Sequence, residues 1–146
     1  VNRDQLVADL KTAEGLRRVA YDDATGLPIR PGTTVRGHAT IGYGHNLEVP
    51  VPLPVLDTLL DLDITAVCAD LDRELPWWTE RTDSQQRALV ELAFSMGVHG
   101  LLACPLFLMR LRAGQTHLAG CELATAKWAR DVGPTRAQRV IAQIQA

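Results

Sequence analysis

Gly26, Gly32, Gly37, Gly42 and Gly44, with Pro28 and Pro31, crowd into residues 16–46, while apolar residues recur at helical spacing on either side. A helix cannot run through that density, because glycine carries the largest ordering cost and proline removes a donor. The chain must therefore pass from helix to a tight-turned segment and back to helix. Short β-branched runs, "TTV" and "ATIGY", supply strand candidates within it, so residues 16–46 read as a small sheet.

The flanks are helical by periodicity. In "NRDQLVADLKTAEG", Leu6, Val7, Leu10 and Ala13 share one face, with Asn2 as N-cap and Gly15 as stop. "EVPVPLP" is a connector. "LPVLDTLLDLDITAVCADLDREL" then repeats Leu56, Leu60, Asp63/Ile64, Val67 and Leu71 opposite an acidic face, a helix of roughly 30 Å that could join two lobes. "PWW" breaks it. Thr82 with Gln85 forms a capping box for a helix that stops near Gly97, and Pro105 opens another that ends near Gly114. Residues 116–127 and 135–145 read as two more helices. The expected fold is α+β and mostly α, a single domain over residues 1–146. It would have a sheet-bearing lobe at about 15–53, a linking helix at about 54–74 and a helical lobe at about 75–146. Helix 2–14 would pack near a cleft between the lobes, where a ligand is expected.

Charge excludes little but orders the rest. The net charge of −2 does not advertise nucleic acid or an anionic membrane as partner. Residues 47–75 carry seven acids and one base, whereas residues 100–146 carry six bases and two acids. The acidic face of residues 57–74 reads as solvated. Cys68, Cys104 and Cys121 are odd in number and lack metal or redox spacing, so they read as reduced core residues of a cytosolic protein. No apolar run is long enough to span a bilayer, and no charged-then-apolar leader opens the chain, although Val1 leaves earlier trimming open. His38, His45, His99 and His117 show no ligand spacing; a structural role, such as an ion pair with an acid of the middle helix, is expected of the first two. Trp77, Trp78 and Trp128 read as packing anchors, and Asp22 as a turn residue.

The chemistry concentrates in "AEGLRRVAYDD" and "ATIGYGHN". A helix C-terminus carries partial negative charge, so a glutamate just before the terminating Gly15 is disfavoured as an anion, and partial burial would act the same way. A carboxyl that keeps its proton near neutral pH is what general acid catalysis requires. Asp22 and Asp23 follow, pointing to different sides, so at most one faces Glu14. Gly42 and Gly44 would let a long substrate approach the backbone, and Thr40 offers a hydroxyl that could hold a water. Two carboxyls flanking a scissile bond are the equipment of glycoside hydrolysis.

"EGLRRVAYDD…TIGYGH" resembles the signature of the phage-type lysozymes, the family 24 glycoside hydrolases of bacteriophage endolysins. The similarity continues through the long middle helix, "LVELAFSMG" and "WARDVGPTRAQRVI", and so covers essentially the whole chain. The resemblance implies Glu14 as general acid, Asp23 rather than Asp22 as the second carboxylate, and Thr40 as the threonine that orients water. It implies inversion, with the carboxyls roughly 6.5–9.5 Å apart to admit that water. It also implies a muramidase cutting the β-1,4 bond between N-acetylmuramic acid and N-acetylglucosamine for host-cell lysis. No cofactor or metal is required. The partner is bacterial peptidoglycan, with no nucleic acid and no stable membrane insertion, and the enzyme is a monomer. Asn46 and Phe94 fall at substrate-binding positions, and Arg136 could reach Glu14. The implied location is the host cytoplasm, with the wall reached through a pore made by another protein.

One departure stands out. Sixteen residues separate Asp23 from Thr40, far more than in compact members of the family, and they suggest a longer hairpin that leaves both ends in place. Two rival readings are a lytic transglycosylase, which needs one acid only, and a catalytically inactive wall-binding module.

Overall fold

The computed structural model describes residues 1–146. The chain divides into two compact units, residues 1–56 and 57–146. The fold is mostly helical with one small antiparallel sheet, an α+β arrangement.

The first unit opens with α1 (Arg3–Glu14). Asn2 caps it, its Oδ1 accepting from the Gln5 N–H at 3.1 Å, which satisfies one of the four donors a helix start leaves open. Gly15 ends it at φ 67°, and its N–H closes on the Lys11 carbonyl. The apolar face read from the sequence forms but is not covered within this unit: no residue of α1 is buried. Strands β1 (Arg17–Asp22), β2 (Ala39–Gly42) and β3 (His45–Asn46) follow, in that order across the sheet. β1 pairs with β2 through Tyr21–Thr40 and Asp22–Ala39, and β2 with β3 through Thr40–Asn46 and Ile41–His45. Gly42 (φ 69°) and Gly44 (φ 88°) make the β2–β3 turn, which needs left-handed backbone at both positions.

Residues 23–38 leave the sheet between β1 and β2. The "TTV" strand expected at residues 33–35 does not form, and the excursion carries only an isolated bridge, Tyr21–Pro28. The reason is local: Thr33 is held in a turn with Arg30, its N–H donating to the Arg30 carbonyl and its hydroxyl accepting from the Arg30 N–H, both at 2.9 Å.

The second unit is a helical bundle: α2 (Leu53–Glu74), whose first turn still belongs to the first unit, a 3₁₀ turn (Pro76–Glu80), α3 (Asp83–Leu102), α4 (Pro105–Arg112), α5 (Thr116–Thr125), α6 (Lys127–Val132) and α7 (Pro134–Gln145). Thr82 caps α3 by accepting from the Gln85 N–H. The stop expected near Gly97 is a kink: Gly97 at φ 75° breaks the helical path and α3 resumes to Leu102. Pro105 and Pro134 start α4 and α7, where a missing N–H costs nothing. Short α6 lies between the two last helices expected, ended by Gly133 at φ 83°.

The apolar core lies wholly in this unit, and includes Leu71, Leu89, Leu92, Leu101, Leu111, Leu123, Val140 and Ile144. All three tryptophans anchor it. Trp78 donates its indole N–H to Asp72 at 2.7 Å and Trp128 to Ser95 at 3.0 Å, so each buried ring keeps its polar edge satisfied. Asp72 is thus a partner for the core and not simply part of a solvated face. In α2 only Leu71 is buried; Leu56, Leu60 and Ile64 stay exposed, because periodicity sets the helix but neighbours decide which part of its face is covered. Cys68 and Cys104 are half-buried and Cys121 is exposed, so the expectation of three core cysteines fails for Cys121; all three are free thiols.

No single helix is long and apolar enough to cross a membrane. The kinked pair α3–α4 passes that test jointly, yet it supplies Leu92, Leu101, Phe107 and Leu111 to the core.

Candidate active site

Glu14 is the last residue of α1, held at the helix end by the Gly15 stop. Its carboxylate is exposed, so the partial burial expected of it is absent within this unit. The β2–β3 turn lies beside it: a Cβ added to Gly44 would sit 3.7 Å from Glu14 Oε2. Gly44 therefore serves twice, supplying the turn's backbone conformation and leaving one side of the carboxylate clear. A surface hollow of about 390 Å³ opens here, lined by Val7, Leu10, Lys11, Glu14, Tyr43 and Gly44. Lys11 Nζ stands 5.6 Å from the centre of the Tyr43 ring, within reach of a cation–π contact. Sequence reasoning did not single out Lys11 or Tyr43. Their signal was spacing: Lys11 lies one helical turn before Glu14, and Tyr43 separates the two turn glycines.

The other candidates meet at the far end of β2. Thr40 is buried, with 5 % of its surface exposed, and sits in the central strand directly between Tyr21 and Asn46. Antiparallel partners project to the same side of a sheet, so these three side chains share a face. The Thr40 hydroxyl donates to the His38 carbonyl at 3.1 Å, leaving its oxygen lone pairs as acceptors. Asp23 lies just past β1 and is exposed. Its N–H donates to the same His38 carbonyl at 3.1 Å, and its Oδ1 accepts from the His38 N–H at 2.6 Å. The His38 carbonyl thus holds both the Asp23 backbone and the Thr40 hydroxyl. Asn46 ends β3, its Oδ1 accepting from the Glu48 N–H at 2.8 Å, a local turn that fixes the side chain.

Asp22, expected only to mark a turn, is buried, with 2 % of its surface exposed. The backbone N–H of Arg36 holds its carboxyl below the usual carboxylate range, against the opposing push of desolvation, and the N–H groups of Gly37 and Ala24 add to the effect. His38 Nδ1 lies 2.8 Å from Glu48 Oε2. That contact, then the charge of Glu48, then that of Asp23, raise the imidazole's pKa above its ordinary value. The acid paired with His38 belongs to the segment after β3, which corrects the expectation of an acid from the middle helix.

Phe94 belongs to the second unit. It lies on α3, where with Leu60, Ile64, Val90 and Trp78 it lines an apolar groove of about 420 Å³. Arg136 is engaged in that unit too, donating to Glu91 at 2.9 Å, while Arg139 donates to the same oxygen at 2.6 Å. Desolvation pushes the Glu91 carboxyl up, but the two guanidinium groups outweigh it and leave the carboxyl below its ordinary range. No three His, Cys, Asp or Glu side chains are grouped closely enough to hold a metal ion.

The family model described as phage lysozyme matches residues 11–142, from the last turn of α1 to the last turn of α7. The chain belongs to the phage lysozyme family. No curated protein matches it. Membership makes the protein lysozyme-type, in a family that acts on peptidoglycan. The match begins at Lys11, so Glu14, Asp23 and Thr40 all fall inside it.

Proposed function

We propose that the protein is a muramidase of the endolysin type. It hydrolyses the β-1,4 bond between N-acetylmuramic acid and N-acetylglucosamine, with inversion at the anomeric carbon. Glu14 protonates the departing sugar oxygen, and Asp23 and Thr40 hold the attacking water. The observation that carries this reading, within a lysozyme family, is the backbone of His38, whose N–H bonds the Asp23 carboxylate and whose carbonyl bonds the Thr40 hydroxyl. A water between them would give its proton to the carboxylate while its oxygen attacks the sugar. Glu14 has a cleared flank at Gly44, and a glycan strand lying over it would strip its water and favour the protonated carboxyl. The Tyr43 ring offers a stacking surface beside the leaving group, and the Asn46 amide nitrogen is available to a sugar hydroxyl on the face of Thr40.

The enzyme works as a monomer without a cofactor. It accumulates in the host cytoplasm and reaches the wall when another protein opens the membrane; lysis from outside by intact cells expressing this chain alone would refute that route. The chemistry is tested by mass analysis of the sugars released by the wild type, Glu14→Gln and Asp23→Ala. Hydrolysis adds one water to the cut strand and is lost in both variants. Anhydro products, or an Asp23→Ala variant that keeps most activity, would instead identify a lytic transglycosylase. No release by the wild type would leave a wall-binding module.

A further inference from the structure

Asp22 is the chain's one buried carboxylate; it accepts from three backbone N–H groups, with the Thr25 hydroxyl as a lesser partner. Oδ1 accepts from Ala24 and Gly37, both at 3.0 Å, and Oδ2 from Arg36 at 2.8 Å. Ala24 stands at the start of the excursion between β1 and β2. Arg36 and Gly37 stand at its far end, fourteen and fifteen positions beyond Asp22. A single side chain therefore draws both ends of a long loop together. A carboxylate is taken out of water only at a cost, which charge-assisted bonds from three donors can offset. A turn aspartate in solvent would need none of this.

What those bonds fix is the next residue. His38 follows Gly37 directly, and its peptide groups make all three tethers described above: N–H to Asp23 Oδ1, and C=O to the Asp23 N–H and the Thr40 hydroxyl. Gly37 belongs to the same arrangement. A Cβ there would collide with Asp23 Oδ1 and come within 2.8 Å of the Ala24 Cβ, so the carboxylate of Asp23 occupies space that only a glycine leaves. We propose that Asp22 is a positioning residue for the hydrolytic water: by pinning Arg36 and Gly37 it sets the backbone at His38, whose N–H and carbonyl place Asp23 and Thr40. This inference rests on the muramidase reading. It also explains how sixteen residues can separate Asp23 from Thr40 without loosening the pair.

Asp22→Asn is the informative variant. The amide oxygen can still accept from Ala24 and Gly37, but the amide nitrogen is a donor and would face the Arg36 N–H. On solubilised peptidoglycan, at a temperature where circular dichroism shows the variant folded, kcat should fall about 10- to 100-fold with KM within about twofold, the signature of a displaced reacting group. In the same variant the His38 amide should exchange with solvent faster than in the wild type. A lowered melting temperature with unchanged kcat would overturn the proposal, since it would make Asp22 a stability residue only. If Asp22→Asn does not fold, Gly37→Ala decides: it keeps Asp22 and displaces Asp23, so a comparable loss of kcat supports the link and wild-type kcat refutes it. An inactive wild type would sink the muramidase reading. Unaltered His38 exchange in Asp22→Asn would separately sink the Asp22 link.

Discussion

Residues 57–146 bury nineteen apolar side chains, whereas in residues 1–56 the buried side chains are two polar ones, Asp22 and Thr40. The two units are therefore held by different forces. Burial of leucine and aromatic surface stabilises the helical unit without regard to direction, at roughly 25 cal/mol per Å² of apolar area. The sheet-bearing unit relies on directed bonds: the carboxylate of Asp22, the peptide of His38 and the glycine turns. Directed bonds locate atoms closely while contributing little net stability each. The difference suits the chemistry proposed for the first unit, where a proton donor and a water must be placed. It also predicts that this unit is the first to open.

The sharpest way to break the comparison is to separate activity from stability. Glu14→Gln should lower turnover on peptidoglycan about 10²- to 10⁴-fold, the range for losing a general acid. Its melting temperature should stay at the wild-type value, since the side chain is exposed. Loss of both together would mean that Glu14 supports the fold. The converse variant lies in the helical unit. Leu92 is fully buried, so Leu92→Ala should cost about 2–5 kcal/mol in denaturant unfolding and leave kcat unchanged where the protein remains folded.

Amide exchange compares the two units directly. Amides of β2 and of residues 36–38 should exchange through local opening well before those of α3 and α7, because few apolar contacts resist that opening. Equal protection in both units would remove the distinction. Acid should act in the same order. The Asp22 carboxyl has a folded pKa below its unfolded one, so the stability it contributes is present above the unfolded value. It is lost as pH falls through the lower, folded value. Proton resonances of residues 24–38 should therefore shift toward random-coil positions, on lowering pH beneath the ordinary carboxylate range, before those of the helical core.

The smallest effect concerns His38. Its raised pKa makes its contribution complete below the unfolded value, and that contribution is lost as pH rises through the folded one. In Glu48→Gln the imidazole titration followed by NMR should move down toward its ordinary value, with a small residual rise left by Asp23. An unmoved titration would mean that the Glu48 contact does not persist in solution.

Much of the candidate site was legible because its signals are local. Glu14 before Gly15 is a helix-end pattern that needs no knowledge of the rest of the chain, and Gly42 and Gly44 mark a turn that only left-handed backbone can make. The choice of Asp23 over Asp22 came from resemblance. The structure buries Asp22 among backbone donors and leaves Asp23 exposed. Asp22 was underestimated because two of its three backbone partners lie fourteen and fifteen residues away, beyond any turn pattern. Lys11 and Tyr43 escaped notice for a similar reason, since their meeting depends on how the β2–β3 turn lies against α1.

By itself the sequence determined where most helices start, where the chain must turn, and which family the motif belongs to, because caps, glycines and periodicity act over a few residues. Tertiary structure alone decided which faces are covered. Leu71 is buried while Leu60, on the same helix and with the same spacing, is not. It alone decided that the backbone of a single residue, His38, holds two of the groups proposed for chemistry. Burial and long-range hydrogen bonds depend on partners distant in the chain, and no local pattern encodes which partners will arrive.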